Sequence, residues 1–369
     1  MDGKLVLKFD RLKCSLNLKT AKSKRVGAFM KVLVTGGAGY IGSHVVKLLL
    51  ENTEHKITVL DSLVTGFMDT VETLNKIRHF NFVKADLGSW SFVRDVFLSE
   101  RFDAVIHFAA SLIVSESVKN PAKYYLNNTA NTINLIRLVD EFSVKKFVFS
   151  STAAVYGEPP VDMASQGIGE DFSAHPINPY GQSKLFNEKI IEDIAKAGGR
   201  FKYVVFRYFN VAGASPDLII GQKTKDATHL IKVASECAVG KRDRMYIFGD
   251  DYPTYDGSCI RDYIHVNDLA DAHIMALDYL EDNESDIFNV GYGKGSSVKE
   301  VISAVKKVSG VDFKVDKAPR RAGDPAVLIA KNEKILNKMG WKPKYDNLEF
   351  ICKTAYEWEK KLSSEIENP

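Results

Sequence analysis

The chain has 369 residues, 45% apolar and 26% charged, with a formal charge of +3, the composition of an ordinary globular protein with core enough for two lobes. The positive sign is local: residues 1–29 carry eight Lys/Arg against two Asp, and the resulting +6 leaves −3 for the rest, which excludes a basic nucleic-acid-binding body. No apolar run approaches the ~18 residues of a membrane span, and the leader lacks a secretory apolar region. The expectation is a soluble cytoplasmic protein with no membrane or nucleic-acid partner. Residues 1–29 read as a disordered tail, an upstream start or an organellar leader. Cys14, Cys237, Cys259 and Cys352 show no paired spacing and the eight histidines no helix-spaced pair, so no metal site is expected.

Lys31–Ser43 reads KVLVTGGAGYIGS, a short β-branched run followed by a glycine-rich turn and an amphipathic stretch, His44–Leu50. Strand, tight turn and helix open a dinucleotide-binding unit. Gly36 and Gly39 are expected to take backbone angles closed to other residues, and Gly42 to let the helix lie close on the strand. Phosphates would then sit on the amides of the helix N-terminus. Asp61 ends the next apolar run, 19 residues after Gly42, where an acid binds the adenosine ribose. Ser43 and His44 stand where a phosphate loop needs Lys and Ser/Thr. Asp61 also repels a 2′-phosphate, and no Lys or Arg intervenes before Lys76, so NAD is favoured over NADP.

A β-α-β-α beat continues through a helix around Met68–Ile77, the strand Phe80–Lys84 and a helix near Ser91–Ser99. Ala104–Phe108 is a strand, about Pro121 to Phe142 one long helix, Lys146–Phe149 a strand, Pro159–Pro179 a loop, about Tyr180 to Ala197 a helix and Tyr203–Phe206 a strand. The pattern predicts an α/β protein with a Rossmann-type doubly wound parallel sheet and a smaller C-terminal α/β substrate lobe. The division expected is a leader (1–29), a nucleotide-binding domain (30–210), a mainly substrate-binding lobe (211–358), with Arg261–His265 and Asn267–Leu280 returning towards the first, and a polar tail (359–369).

Tyr180 and Lys184 stand one helical turn apart, in Tyr-Gly-Gln-Ser-Lys. Two positive charges, the Lys184 ammonium and an oxidised nicotinamide, would lower a phenol pKa of about 10 and make Tyr180 a usable base. Thr152, just beyond a strand end, can share a hydrogen bond with the phenol and a substrate hydroxyl. On a helix surface the same spacing is also common without any chemistry. The chain order of glycine-rich turn, strand-end Thr and Tyr-x-x-x-Lys is what makes the set specific.

From Met30 to about Trp358 the sequence resembles the extended short-chain dehydrogenase/reductase superfamily, and within it the UDP-glucose/UDP-galactose 4-epimerases. The resemblance rests on VTGGAGYIGSH (Val34–His44), DSLVTG (Asp61–Gly66), VIHFAA (Val105–Ala110), FSSTAAVYG (Phe149–Gly157), NPYGQSK (Asn178–Lys184), RYFNVAGA (Arg207–Ala214), RDYIHVNDLA (Arg261–Ala270) and APRRAGD (Ala318–Asp324). It implies reversible inversion at C4 of a UDP-hexose through a 4-keto intermediate, with tightly bound NAD. Tyr180 would act as base, helped by Thr152, while Lys184 supports the phenolate. It further implies Tyr40 and Ile41 at the pyrophosphate, Asp61 at the ribose, and Asp86 and Leu87 at the adenine. Phe108, Ala109, Ala110, Asn128, Lys184 and Phe209 complete the cofactor set, and Leu112 stands where many 4-epimerases carry Lys. Phe108, Leu112 and Phe209 read equally as core.

For the nucleotide sugar the resemblance implies Asn210, His229, Leu230, Tyr246, Phe248, Arg261, Arg321 and Asp324. The two arginines suit a diphosphate clamp, although each also reads as a solvated surface charge. Phe248 fits either uracil or the core, and His229 departs from the Asn often found there. Leu328 matches a size gate at which a bulky Tyr excludes 2-acetamido sugars. Leu there is expected to admit both UDP-glucose/galactose and the N-acetylhexosamine pair, unless it is an ordinary packing residue. Ala153 and Ala154 follow Thr152 where dehydratases carry Asp-Glu, which disfavours elimination. A 4-reductase or a non-catalytic NAD-binding protein are the alternatives. Family members commonly form homodimers through paired helices, here Pro121–Phe142 and Tyr180–Ala197.

Overall fold

Buried apolar runs make strands here, and through the first half of the chain each is followed by a helix. The computed structural model describes residues 29–225, 227–321 and 323–367, so the sequence reading of the leader lies almost wholly outside the described residues. In chain order, β1 (Lys31–Thr35), α1 (Tyr40–Asn52), β2 (Lys56–Asp61), α2 (Met68–Asn75), β3 (Asn81–Lys84), α3 (Trp90–Glu100) and β4 (Ala104–His107) build the first half. Then come α4 (Val114–Lys119), α5 (Pro121–Tyr124), a π-helical turn (Tyr125–Ala130), α6 (Asn131–Glu141), β5 (Lys146–Ser150), α7 (Val161–Ser165), α8 (Pro179–Lys196) and β6 (Lys202–Tyr208). The remainder is β7 (Asn210–Ala212), α9 (Leu230–Ala238), β8 (Arg244–Phe248), β9 (Ile260–His265), α10 (Val266–Asp282), β10 (Asp286–Val290), β11 (Gly295–Ser297), α11 (Val298–Ser309), β12 (Lys314–Ala318), β13 (Val327–Leu328) and α12 (Leu348–Glu367).

Seven strands form one sheet in the order β10-β6-β5-β4-β1-β2-β3, and every pairing is parallel. Strand order reverses between β1 and β4, the place where a doubly wound sheet opens a crevice at its carboxyl ends. Beyond it, β11, β9, β13 and β7 form a second sheet and β8 pairs with β12.

The return of Asn267–Leu280 towards the first lobe is seen in α10 packing against α1, and the main sheet takes its seventh strand, β10, from 286–290. The helical segment expected from Pro121 to Phe142 is continuous to Glu141 but widens into a π turn at Tyr125–Ala130. The wider turn lets Asn128 point inward, where its amide accepts from Ser111 N at 2.7 Å and donates to Ser111 O at 3.0 Å and Ser183 Oγ at 3.1 Å. The polar tail from 359 is helical as far as Glu367, and Glu359 is buried as ion-pair partner of Lys232 and Lys241.

Helix α8 begins where its sequence dictates. Asn178 caps it by accepting from Gly181 N at 2.8 Å, and Pro179 opens the first turn. Two turns beyond Tyr180, Glu188 meets Arg207 of β6, whose Nη2 and Nε donate to its carboxylate at 2.7 and 3.1 Å. Both side chains are buried, and Ser151 donates to the same carboxylate. Removing one member of such a pair leaves an uncompensated buried charge. Arg207→Met is therefore expected to cost about 3–5 kcal/mol in urea unfolding, while Arg207→Met combined with Glu188→Leu recovers most of the loss. A single variant as stable as the parent would show that the pair does not hold α8 to the sheet.

Candidate functional site

The turn after β1 carries the closest backbone approaches at the switch point. Gly36 has φ +74, and a Cβ there would lie 2.7 Å from Ala109 N in the loop after β4. The two loops therefore run against each other. A Cβ on Gly42 would come within 2.3 Å of Gly36 O, so this glycine seats α1 against the turn itself. Gly39, expected to share the special conformation, has φ −80, open to any residue, and serves as N-cap of α1. No side chain caps the first-turn amides of this helix at Tyr40 and Ile41. The Tyr40 hydroxyl donates to Gly213 O at 2.6 Å, tying this turn to the loop after β7.

Asp61 closes β2 and is buried. Its two oxygens accept from Ala38 N at 3.0 Å and Leu63 N at 2.8 Å. Burial nevertheless raises its pKa above the ordinary value, the two amides opposing. Asp86 is exposed and accepts from Gly88 N at 2.7 Å, whereas the Leu87 side chain is packed with Leu60, Val93 and Phe97, leaving its backbone as the group free for contact. Phe108 lies half-buried 4.8 Å from the His273 ring, and Phe209 is core. Leu112 is 39% exposed in the turn after β4 and is not a core residue.

Tyr180, Thr152 and Lys184 meet at the end of β5. Burial raises the Tyr180 phenol pKa, and the neighbouring Thr152 hydroxyl opposes this with a smaller effect. Lys184 Nζ donates to Ser150 O at 2.8 Å and lies 5.0 Å from the centre of the Phe149 ring. The Lys184 ammonium is thus held at the strand end, one helical turn from Tyr180 on the same face of α8. Glu188 joins the site unforeseen, although it extends the series 180, 184, 188 along one helix face. Ser150 does so as well, its hydroxyl bonding His273 Nε2 at 2.8 Å and its carbonyl holding Lys184. Nothing local in the sequence marks that pairing, because His273 arrives from 123 residues away.

In the second lobe Asn210, His229 and Leu230 line one cleft together with Gln222, Tyr263 and Trp358. Leu328 is buried and sits opposite Arg261 in the β13–β9 register, in a cluster with Ala153 and Phe209. The two arginines of the expected clamp do not share a partner. Arg261 faces Asp324 at 3.6 Å, and the guanidinium of Arg321 lies 3.6 Å from the centre of the Phe248 ring, with Tyr246 exposed beside it. Among the described residues no His/Cys/Asp/Glu group could hold a metal ion, and Cys237, Cys259 and Cys352 are free and buried. No described helix is long and apolar enough to cross a membrane.

Burial lowers the Lys184 pKa from 10.5 to about 7, with Glu188 opposing. The folded chain thus binds this proton more weakly than the unfolded chain does. The resulting penalty is full below about pH 7 and fades as pH rises towards the unfolded value near 10.5. Lys184→Met removes it and adds a pH-independent offset for the lost Ser150 contact. The melting temperature of the variant minus that of the parent is expected to fall as pH rises from about 7 to about 10. A difference that does not change with pH would contradict the depressed pKa.

Residues 32–291 match the NAD dependent epimerase/dehydratase family. The chain is 47% identical over 330 residues to a UDP-glucose 4-epimerase of Lacticaseibacillus casei, spanning 89% of this chain and 96% of that one. It superposes with a TM-score of 0.79 and 56% identity on the UDP-Glc/GlcNAc 4-epimerase from the human pathogen Campylobacter jejuni, covering 90% of this chain and 99% of that one. A UDP-glucose 4-epimerase from Bifidobacterium longum in complex with NAD+ and UDP gives a TM-score of 0.85 at 35% identity, covering 90% and 98%. A glycine turn at the switch point, a buried acid ending β2 and a Tyr–Thr pair above a buried Lys thus occur on a sheet shared with these proteins, and the chain belongs to the NAD dependent epimerase/dehydratase family.

Proposed function

We propose that this protein inverts C4 of UDP-hexoses, interconverting UDP-glucose with UDP-galactose and the two corresponding UDP-N-acetylhexosamines. The observation that carries the reading is the meeting of Thr152 and Tyr180 at the end of β5, with buried Lys184 one turn further along α8 and held there by the Ser150 carbonyl. The chain fits NAD: Gly36 and Gly42 leave a cradle that a Cβ would fill, α1 lacks a side-chain cap, and Asp61 offers a buried carboxylate beside that turn. Bound NAD supplies the acceptor and donor of the C4 hydride.

In this reading Tyr180, as phenolate, takes the proton of the 4-hydroxyl, and Thr152 shares it along its hydrogen bond. The 4-keto sugar turns about its diphosphate, held by Asn210, Leu230 and the arginines, and presents its other face. Tyr180 returns the proton to the 4-oxygen. The cycle is redox-neutral, which permits NAD to stay bound throughout. Ala153 and Ala154 place no acid next to Thr152, so the site lacks the group that loss of water would use. A 4-reductase would need exchangeable NADPH, and the Asp61 carboxylate, held by Ala38 and Leu63 amides, opposes a 2′-phosphate.

Leu328 supports the wider substrate range, because its side chain is shorter than a tyrosine at the same place and lies in one cluster with Phe209 and Ala153. Exposed Val118, Leu126 and Phe186, carried by α4, the π turn and α8, favour a homodimer. Free, buried cysteines are compatible with a cytoplasmic setting.

The test is incubation of purified protein, with no added cofactor, with UDP-galactose and separately with UDP-N-acetylgalactosamine, products being resolved by chromatography. Both are expected to give their gluco epimers. Tyr180→Phe is expected to lower kcat by ~100-fold or more with an unchanged melting temperature, and full activity in that variant would overturn the mechanism. Leu328→Tyr is expected to lose turnover of the acetamido pair while keeping the hexose pair. Equal loss of both would reassign Leu328 to packing.

A further inference from the structure

Ser150, the last residue of β5, is bonded from both faces of the main sheet. Side chains alternate along a strand: those of Phe147 and Phe149 pack with Ile191 of α8, whereas Val148 packs in the core that holds Leu277 of α10. Ser150 follows Val148 in that alternation, so its hydroxyl faces α10. There it meets His273 Nε2 at 2.8 Å. From α8, Lys184 Nζ reaches the Ser150 carbonyl at 2.8 Å. Strand β4 pairs with β5 only as far as Phe149, so no residue of β4 stands opposite Ser150. The Lys184 ammonium is the group that meets its carbonyl.

The direction of each bond follows from what the atoms can do. A carbonyl oxygen only accepts, so the contact of His273 Nδ1 with Leu269 O at 2.9 Å places the ring proton on Nδ1. Leu269 lies one turn earlier on α10, so this contact is fixed within a single helix. His273 is fully buried, which lowers its pKa to about 4; the ring is neutral and Nε2 carries a lone pair. The Ser150 hydroxyl therefore donates to it. Three aromatic rings surround the imidazole, Phe108 and Phe206 at 4.8 Å between ring centres and Tyr208 at 6.4 Å. The hydroxyl thus has one acceptor, on a ring that is itself held at its far nitrogen and along its sides.

We infer that His273 is a positioning residue for Lys184: by taking the Ser150 hydroxyl it fixes the end of β5, and with it the carbonyl on which the ammonium rests. What Lys184 does for Tyr180 rests on the proposed function; the positioning itself does not. The link runs across the sheet, so the packing of α10 is felt on the face of α8 that carries Tyr180 and Lys184. The titratable groups around Lys184 are Tyr180 and Glu188 of α8, His107 of β4, Arg207 and Tyr208 of β6, and His273 of α10. Burial keeps His107 and the two phenols uncharged, and Glu188 is committed to Arg207. The Ser150 carbonyl is then the acceptor whose place decides how well the ammonium is held.

Two measurements on the full-length protein test this, one of them independent of turnover. The Lys184 ammonium is titrated by nitrogen NMR on protein labelled with 15N-lysine, its resonance being assigned by its loss in Lys184→Met. The parent is expected to titrate near pH 7. A loosened acceptor disfavours the charged form, so His273→Phe, which keeps a ring but no lone pair, is expected to lower the midpoint by about half a unit or more. Ser150→Ala, which removes only the hydroxyl, is expected to shift it likewise. His273→Gln, whose amide oxygen can accept from Ser150, is expected to restore most of the parent value. A midpoint unchanged in both His273→Phe and Ser150→Ala would overturn the inference. The second measurement is steady-state epimerisation of UDP-galactose. His273→Phe and Ser150→Ala are each expected to lower kcat about tenfold with KM within about twofold, and the double variant to fall no further than the worse single. Losses that multiply in the double variant would overturn the link through Ser150. A parent without turnover whose Lys184 midpoint still moves in His273→Phe would sink the proposed function and leave the positioning role standing.

Discussion

Arg207 lies on Glu188 with both charges out of water, and the rest of the site depends on that pair. Glu188, Lys184 and Tyr180 occupy one face of α8 at successive turns, so fixing the first against β6 fixes the height and rotation of the other two. Ser151, donating to the same carboxylate, ties in the end of β5. Tyr156 accepts from Arg207 Nη1 at 3.2 Å and brings in the segment after Thr152. One buried ion pair therefore sets α8, β5 and β6 against each other at the point where Thr152 meets the phenol. Hydrophobic residues in its place would pack as well but would not specify the rotation of α8 about its own axis.

One loop adds polar contacts to the apolar core that the two lobes share. Residues 213–225 are bound to α1 by the Tyr40–Gly213 hydrogen bond and the Lys47–Asp217 ion pair. The same loop reaches α2 through Lys223–Asp69 and α12 through Trp358 and Lys361. The glycine turn and the cleft lined by Asn210, His229 and Leu230 are thus neighbours of one segment. Displacement of that segment moves both, a coupling that close backbone contact at Gly36 and Gly42 makes stiff on the dinucleotide side.

Local rules made much of the fold and the heart of the site legible in the sequence. Alternating apolar runs and helical stretches implied the doubly wound order, and helical spacing put Tyr180 and Lys184 on one face. Less legible was whatever depends on a distant partner. The π turn at Tyr125–Ala130 answers to Ser111 and Ser183, and neither is local to it. Glu359 reads as a tail residue until Lys232 and Lys241 are beside it. Strand β10 is short and lies 78 residues beyond β6, so only the sheet shows that it pairs with β6. Arg321 lies over the ring of Phe248, a pairing that 73 residues of sequence separate.

The electrostatics of Tyr180 and Lys184 bear on how the proposed base comes to act. Burial raises the phenol pKa, and it lowers that of the ammonium to about 7. Left to the protein's own groups, the pair therefore moves away from phenolate and ammonium and towards two neutral groups. Glu188 cannot reverse this, since its carboxylate is already shared by Arg207 and Ser151. The Thr152 hydroxyl favours the phenolate with an effect that is small against full burial of a charge. An oxidised dinucleotide bound beside the pair would add a positive charge, and Tyr180 would act as base while that charge is present.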